Sequence, residues 1–310
     1  MGVQGLDVEV SVQRPSRGVG MRHSAGRLLR LLLRDKIATI AALFLLGITG
    51  VAIFAQYVAP HDPLLQAIPD RLQPPAWVEG GSPGHILGSD QLGRDTLSRV
   101  IYASQISMFV GWVVVAITLI VGTTLGILAG LFGGWLDHAI MGTTDVLMAF
   151  PGLLMIMTVS AVMGPGLETV IIALSVRFWT SYARVTRGLV LALKEADFMV
   201  AAQVVGGTRR HVIRRHLLPN ILSPLATLMP LEVGKVMLAE AGISFLGLGI
   251  QPPVSSWGLL VSEGRNFISS AWWLITFPGL ALFATILSTN IVGNWLRLAT
   301  DPIHRGRLGE

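Results

Sequence analysis

The sequence has no cysteine among its 310 residues, and only 13% of its residues are charged. The absence of cysteine excludes disulfide bonds, thiolate metal sites and a cysteine nucleophile. Soluble chains normally carry about a quarter charged residues, whereas hydrophobic residues make up 52% of this chain. The composition therefore indicates a polytopic membrane protein and excludes an ordinary soluble domain.

Nucleotide and metal motifs are also missing. The only Gly-Lys pair, Gly234-Lys235, is followed by valine, so no Gly-x-x-x-x-Gly-Lys-[Ser/Thr] phosphate loop is present. The seven histidines are scattered, and no two have the spacing of a His-Glu-x-x-His metal site. We therefore expect no catalytic residue, no metal site and no cofactor bound by this chain.

Long charge-free runs carry the main structural signal. A helix needs roughly 20 apolar residues to cross a hydrocarbon layer about 30 Å thick, and no charged residue occurs within 37–60, 101–136 or 270–296. Three further apolar segments bring the total to six, which predicts an all-α polytopic membrane protein with six transmembrane helices. The predicted spans are residues 37–60, 101–136, 139–163, 167–190, 217–248 and 270–296.

Lysine and arginine are distributed unequally along the chain. Seventeen lie in the N-terminal tail, in the segment between spans four and five and in the C-terminal tail, against four on the opposite side. Because cytoplasmic loops retain positive charge, both termini are predicted to be cytoplasmic. The predicted divisions are a partly disordered cytoplasmic tail at 1–36, a first helix at 37–60, an extracytoplasmic loop at 61–100, a transmembrane core at 101–297 and a cytoplasmic tail at 298–310. Within the first tail, residues 1–26 are expected to be disordered.

A charged, helix-compatible segment interrupts the apolar sequence at residues 192–216. Acidic residues fall in the first turn of a predicted helix over 194–205, where they favour the helix dipole. Two alanines would permit the close approach of a partner, and a Gly-Gly pair would end the helix before a second one over 209–217. This pattern predicts a docking knob, whereas a loop that merely keeps its arginines in the cytoplasm would not need the small residues. The residues concerned are Glu195, Asp197, Ala201, Ala202, Gly206, Gly207, Arg209 and Arg210.

Four of the charged residues in the predicted spans lie well away from the span ends, where each costs roughly 2.5–3.5 kcal/mol on insertion scales. Glu232 and Lys235 are three residues apart, so they can neutralise one another on one helix face. Glu240 lies on nearly the same face, which either lines a translocation path or holds helices together. Arg177, in the middle of span four, is expected to contact an acid such as Glu232 or Glu240, or to line the same path.

A second charged group lies on the extracytoplasmic side. Asp90, Arg94 and Asp95 can form internal salt bridges at the outer mouth, or they can meet a soluble partner. Trp257, in the shorter outer loop, is expected to anchor that loop at the membrane interface.

Several segments together resemble the permease subunits of ABC importers, specifically the second permease of the dipeptide/oligopeptide/nickel family. The similar segments are His85-Ile-Leu-Gly-Ser-Asp-Gln-Leu-Gly-Arg-Asp95, Asp145-Val-Leu-Met-Ala-Phe-Pro-Gly-Leu-Leu154, Ser244-Phe-Leu-Gly-Leu-Gly249, Ser256-Trp-Gly258 and Asp301-Pro302. The family's cytoplasmic pattern is Glu-Ala-Ala, three residues, then Gly. Ala201, Ala202 and Gly206 match that pattern, whereas Val200 stands where the family has its first glutamate.

The resemblance implies the type I ABC importer permease fold in a bacterial inner membrane. It implies that the chain forms half of a pore with a second homologous permease, and that two ATP-binding subunits, carrying ATP and Mg, dock on residues 192–216. An extracytoplasmic solute-binding protein would deliver the solute, which is expected to be a short peptide. Membrane lipid is the only other partner expected, and nucleic acid is not.

Alternative functions stay open at this point. The same machinery in similar proteins carries nickel chelates, glutathione, opines or oligosaccharides, and nothing in the sequence discriminates among these solutes. In a different class, an ion-coupled secondary transporter would use Glu232, Lys235 and Glu240 as a proton relay, and would usually contain inverted repeats. An intramembrane enzyme would need a catalytic constellation that the sequence does not offer.

Overall fold

The computed structural model describes residues 21–196, Met199 and residues 209–300, and these residues form helices joined by turns, with no extended strand among them. The helices are α1 (Met21–Arg34), α2 (Lys36–Ile53), α3 (Ala55–Val58), α4 (Thr96–Phe132), α5 (Gly134–Ala149), α6 (Gly152–Met163), α7 (Leu167–Lys194), α8 (Arg209–Val212), α9 (Leu218–Phe245), α10 (Trp257–Gly264) and α11 (Trp273–Thr300).

Capping residues define where the first long helices begin and end. Asp35 accepts hydrogen bonds from the backbone N–H groups of Ile37 and Ala38, each at 3.1 Å, and so caps α2. Asp95 caps α4 in the same way. Helix α4 ends at Phe132, and Gly133 follows it with a φ of 64°, in the left-handed region that favours glycine.

Within the described part of the chain, four helices are long and apolar enough to cross a membrane, namely α2, α4, the segment Ile213–Phe245 and α11. The pair α5 and α6 makes a fifth candidate if the two count as one broken span. Helix α7 has sufficient length, with 28 residues, but it carries five charged residues and does not meet the same standard of apolarity. The predicted number of six spans is therefore not confirmed by length and composition.

The continuous third span predicted over 139–163 is wrong. The helix breaks at Phe150 and Pro151, and its two halves, α5 and α6, meet at 95°. Because proline disfavours the helical conformation in the preceding residue, Phe150 is extended, with φ −76° and ψ 141°. The chain therefore turns sharply in the middle of this segment.

Two other predicted boundaries also need correction. Residues 21–26, expected to be disordered, begin the helix α1. The helix predicted over 209–217 does not end before span five, because α8 continues through a π-helical turn at Ile213–Leu217 directly into α9. One helical rod therefore connects the basic segment to the membrane core.

Helix α4 packs most extensively against α7, and three glycines make the approach close. A Cβ atom added at Gly126 would lie 2.6 Å from both the Ala183 carbonyl oxygen and the Thr186 Cβ. Similar clashes would follow at Gly122 and Gly130, each four residues away along the same face. This small-xxx-small spacing is typical of helix contacts within membranes, and it places α7 beside the core formed by α4, α9 and α11.

Candidate functional site

The face formed by residues 61–95 and 250–268, which is predicted to be extracytoplasmic and is called the outer face below, contains a buried network of charges centred on Asp90. Its Oδ2 accepts hydrogen bonds from Arg94 Nε and Arg99 Nη1, each at 2.6 Å, and its Oδ1 accepts from the backbone N–H groups of Leu92 and Arg94. Arg99 also donates to Glu263, at 2.7 Å, in the second outer loop. The predicted internal pairing of Asp90 with Arg94 is therefore present, and the network joins the two outer loops.

Asp95, the third predicted residue of this group, belongs to a neighbouring cluster. Its Oδ2 accepts hydrogen bonds from the backbone N–H of Ser98, at 2.8 Å, and from the Ser98 hydroxyl, at 2.7 Å. Its Oδ1 lies 3.0 Å from His85 Nδ1, and His61 Nδ1 lies 3.7 Å from Oδ2. Asp95 therefore both caps α4 and gathers two histidines.

Trp257 does not anchor a loop at the membrane interface, so that expectation is wrong. The side chain is fully buried within the chain. Its Nε1 donates to the Val100 carbonyl oxygen at 3.0 Å, and its backbone N–H donates to the Ser107 hydroxyl at 3.0 Å. Trp257 thus fastens the start of α10 onto α4.

Glu240, on α9, also helps to hold the short helix α10 in place. Its carboxylate is buried, and Oε1 accepts hydrogen bonds from the hydroxyls of Ser244, at 2.7 Å, and Ser256, at 2.8 Å. Ser256 in turn caps α10. Within this chain, Glu240 therefore joins the outer end of α9 to α10.

Glu232 and Lys235 pair as their spacing predicts. Lys235 Nζ lies 2.8 Å from Glu232 Oε1, but the two side chains are unequally exposed, Lys235 at 60% and Glu232 at 8%. The second carboxylate oxygen of Glu232 is buried and has no hydrogen-bond partner among the described residues. One ion pair therefore leaves an acceptor unused in the middle of α9.

Arg177 forms no ion pair with Glu232 or Glu240 in the described part of the chain, so the predicted acid contact is wrong. Its Nη1 lies 3.4 Å from the Thr180 hydroxyl, and its buried Nε has no hydrogen-bond partner. The side chain reaches across to the start of α6, where a Cβ added at Gly152 would lie 3.0 Å from Nε. Arg177 therefore brings a cation with unused donors beside the break between α5 and α6.

The predicted docking segment lies mostly outside the described residues, which include neither Asp197 nor Ala201, Ala202, Gly206 and Gly207. Lys194, where a separate helix was predicted to begin, is the last residue of α7, and Glu195 follows it and is exposed. Arg209 and Arg210 begin α8. Met199 is buried, and it packs in a cluster that contains Val190 of α7 and Ile221 of α9.

Two ion pairs join α5 to α7 near the end of α7 that leads into this segment. Arg187 contacts both carboxylate oxygens of Asp137, at 2.5 and 2.6 Å. Arg184 contacts Asp145 at 2.6 Å, with both side chains well exposed. Sequence reasoning did not predict either pair, nor the roles of Arg99, Glu263, His61 and His85. For Glu263 a signal existed, because it is the only acidic residue within 250–268.

Two family models match the chain. The model described as "Binding-protein-dependent transport system inner membrane component" matches residues 122–303, and the model described as "N-terminal TM domain of oligopeptide transport permease C" matches residues 26–75. Between residues 26 and 303, the two matches leave only residues 76–121 uncovered, which are the second part of the loop before α4 and the first 26 residues of α4.

Several similar proteins are named as permeases of peptide or glutathione transport systems. The dipeptide transport system permease protein DppC of Haemophilus influenzae is 38% identical over 87% of this chain and 91% of its own length. DppC of Escherichia coli is 40% identical, with 87% and 90% covered, and the glutathione transport system permease protein GsiD of Pectobacterium atrosepticum is 39% identical, with 88% and 89% covered.

One solved structure shares the fold. The MetNI methionine ABC transporter, in an inward-facing conformation, superposes with a TM-score of 0.54 at 16% identity, over 66% of this chain and 98% of the matched chain. The matched chain is thus contained almost entirely within the larger fold described above.

Proposed function

Since the chain belongs to the family of binding-protein-dependent transport system inner membrane components, we propose that it forms half of the pore of an ATP-driven importer of short peptides. It is a multi-pass inner-membrane protein and a transport subunit. The observation that carries the proposal is the 38–40% identity to dipeptide permeases over 87% of the chain.

Six spans, with both termini in the cytoplasm, form part of this proposal. They are α2, α4, the broken pair α5 and α6, α7, the rod that contains α9, and α11. For α7, the support is that its basic residues Arg184 and Arg187 are neutralised by acids of α5. Only Arg177 remains mid-helix, about 15 Å from Leu167 at a rise of 1.5 Å per residue, and one unpaired cation beside a path is compatible with a transporter span.

The partners we propose are a second homologous permease, two ATPase subunits that bind ATP and Mg, and a solute-binding protein. The ATPases would dock on residues 192–216. Met199, just inside that segment, packs with Val190 of α7 and Ile221 of α9. A push on the docking segment would therefore reach two helices at once, and rigid-body movement of packed helices is a common way to switch between two states.

The translocation path we propose runs past the middle of α7 and α9. Arg177 on α7 has unused donors, and Glu232 on α9 has an unused acceptor. Lys235 presents its ammonium group on an exposed surface of α9. A zwitterionic peptide carries one charge of each sign, so this combination of groups suits its two ends. Glu240 belongs to the outer end of this face, where its hydrogen bonds hold α10.

The experiment uses the assembled complex in proteoliposomes, with the chain, its sister permease, the ATPase subunits and the binding protein. ATP-dependent uptake of a radiolabelled dipeptide is measured for the wild type and for the double variant Ala202→Arg with Gly206→Asp. The matched control is Gly26→Asp, a cytoplasmic-side glycine with nothing within 4 Å of an added Cβ. We expect the double variant to lose at least tenfold in co-purified ATPase and in uptake, and the control to keep both.

Two outcomes would overturn the proposal. Uptake that the chain supports alone, driven by an ion gradient, would favour a secondary transporter. Uptake of glutathione or a nickel chelate, with no competition by dipeptides, would retain the ATP-driven machinery but reject the peptide substrate.

A further inference from the structure

Three potential metal ligands converge on the outer face, from parts of the sequence that are well separated. His61 follows α3, His85 lies in the outer loop and Asp95 caps α4. One ligand atom from each residue can be chosen so that all three lie within 4.8 Å of one another. His85 Nδ1 is 3.0 Å from Asp95 Oδ1, and His61 Nδ1 is 3.7 Å from Asp95 Oδ2.

Neighbouring groups hold these ligands in place. Ser98 donates its hydroxyl to Asp95 and accepts the backbone N–H of His61 at 3.0 Å, so one serine orients two of the three residues. The other ring nitrogen of His85, Nε2, lies 3.8 Å from Asp70 Oδ2. At 3.8 Å the Asp70 carboxylate makes no hydrogen bond to His85, whereas the hydrogen bonds that Asp95 accepts from Ser98 are of the kind that supports a ligating carboxylate in protein metal sites.

A simple hydrogen-bonded cluster accounts for only part of this arrangement. The contact between His85 and Asp95 has hydrogen-bond length, but His61 Nδ1 lies beyond that range from the carboxylate. Ligand atoms about 2.0–2.2 Å from one tetrahedral metal ion lie roughly 3.3–3.6 Å apart, so the 3.0 Å contact would lengthen slightly and the 3.7 Å contact would shorten slightly. His61 therefore distinguishes a metal site from a structural His-Asp pair.

Access from water is also present. The His61 side chain is 40% exposed, and it lines a cavity of about 540 Å³ together with Gln56, Tyr102, Gln105 and residues 253–255. Asp95 lies buried at the back of the cluster, and His85 is largely covered. A cation entering through this cavity would meet His61 first and would keep an open side for water or another ligand.

We propose that His61, His85 and Asp95 form a binding site for a divalent transition-metal cation on the extracytoplasmic face of the protein. Two imidazoles with one carboxylate suit zinc or nickel better than calcium or magnesium, which prefer oxygen ligands. The bound ion would join the segment after α3, the outer loop and the start of α4. No sequence spacing indicates this site, because the fold alone brings the three residues together.

The test uses the full chain with a histidine-free affinity tag, reconstituted in lipid nanodiscs. Zn²⁺ binding is measured by competition with a chromophoric chelator, and Co²⁺ is added separately to record visible absorption from a protein-bound ion. We expect one Zn²⁺ per chain, and affinities at least tenfold lower in His61→Gln and in His85→Gln. The matched control is the double variant His211→Gln with His216→Gln, which removes a histidine pair whose rings lie 6.0 Å apart and should leave binding unchanged.

His61→Gln is the decisive variant, because an exposed side chain can change without unfolding the chain, and its thermal midpoint in EDTA should equal that of the wild type. Absence of Zn²⁺ binding by the wild type would overturn the proposal. So would binding that survives both His61→Gln and His85→Gln, or that disappears only in the control. These measurements use the chain by itself, so their result is independent of whether it imports peptides.

Discussion

The buried charged groups on the outer face of this protein and those in the middle of its long helices differ in how completely they are hydrogen-bonded. On the outer face, Asp90 is only 1% exposed, yet its two oxygens accept four hydrogen bonds from the chain itself. In the interior, Glu232 keeps one buried oxygen unbonded and Arg177 keeps one buried N–H unbonded. Both oxygens of Asp90 therefore have partners within the chain, whereas Glu232 and Arg177 each keep a buried polar atom without a partner among the described residues.

This difference predicts which charged groups contribute to stability and which contribute to transport. A buried charged group whose partners all lie within the chain contributes to the stability of the fold. Removing one of these partners leaves a buried unpaired charge, which is strongly destabilising. A buried charge with unused hydrogen-bonding capacity is costly unless something else engages it. We therefore expect substitutions on the outer face to lower stability, and substitutions in the interior to lower transport while changing stability less.

The largest effect is expected for Asp90→Asn. This change leaves Arg94 and Arg99 buried around a neutral side chain, and breaking a buried pair from one side costs about 3–5 kcal/mol. The free energy of unfolding, measured by denaturant titration of the purified chain in mixed micelles, should fall by that amount. Tryptophan fluorescence gives the signal, since the chain has eight tryptophans.

The matched control is Asp62→Asn in the same outer loop. Asp62 is exposed, and its carboxylate accepts one local hydrogen bond, from Leu64 N–H at 2.8 Å. Its replacement should change stability by no more than about 0.5 kcal/mol. If the two variants proved equally stable, the outer network would not hold the loops together.

A smaller effect, with a different readout, is expected for Arg177→Gln. No ion pair is lost, so the unfolding free energy should change by less than about 1 kcal/mol. Peptide uptake by the assembled complex should fall at least tenfold, which corresponds to about 1.4 kcal/mol in the barrier, because the guanidinium is proposed to bind the peptide carboxylate. Arg184→Gln, which removes a cation from the same helix away from the path, should keep most of the uptake.

The Arg177 prediction fails if Arg177→Gln transports like the wild type. It also fails if the loss of uptake matches a loss of folded protein, since Arg177 would then be structural like Asp90. Measuring KM and maximal uptake separately sharpens the result, because a residue that binds the peptide should raise KM.

Unequal effects are expected from the two halves of the pair in α9. Lys235→Met leaves the Glu232 carboxylate nearly buried without its cation, whereas Glu232→Gln leaves the ammonium of Lys235 on an exposed surface. We expect Lys235→Met to cost about 1 kcal/mol of unfolding free energy and Glu232→Gln less than half as much. The double variant should recover most of the loss.

Denaturant titration of the three proteins, side by side, tests this prediction. Equal losses from the two single variants would indicate that Glu232 is better solvated than its exposure suggests. The double variant serves as the internal control, because it removes both charges and leaves no unpaired charge.

Local sequence signals predicted the long helices well and the contacts between them poorly. Charge-free runs placed α2 and α11 closely, because an apolar run must be helical inside a membrane. The break at Pro151 was missed, although proline is a local signal that can be read from sequence. Contacts such as Arg99 with Glu263, which are 164 residues apart, depend on how helices pack and leave no trace in spacing.

The ion pairs between α5 and α7 were not predicted either, and the effects expected from them are small. Asp145 and Arg184 make a single contact with both side chains well exposed, whereas Asp137 and Arg187 make two parallel contacts and are more covered. Exposed single contacts typically contribute 0.2–1 kcal/mol, and bidentate pairs hold a more defined geometry.

We therefore expect Asp145→Asn to change the unfolding free energy by less than about 0.5 kcal/mol, and Asp137→Asn to lower it by about 1 kcal/mol. Raising the salt concentration in the titration should reduce both differences, and it should reduce that of Asp145→Asn nearly to zero, because exposed charges are screened most. A larger loss of unfolding free energy from Asp145→Asn than from Asp137→Asn would mean that side-chain exposure does not predict which ion pair contributes more to stability. The distinction between fully and incompletely hydrogen-bonded charged groups would then depend on contacts with partners outside the chain.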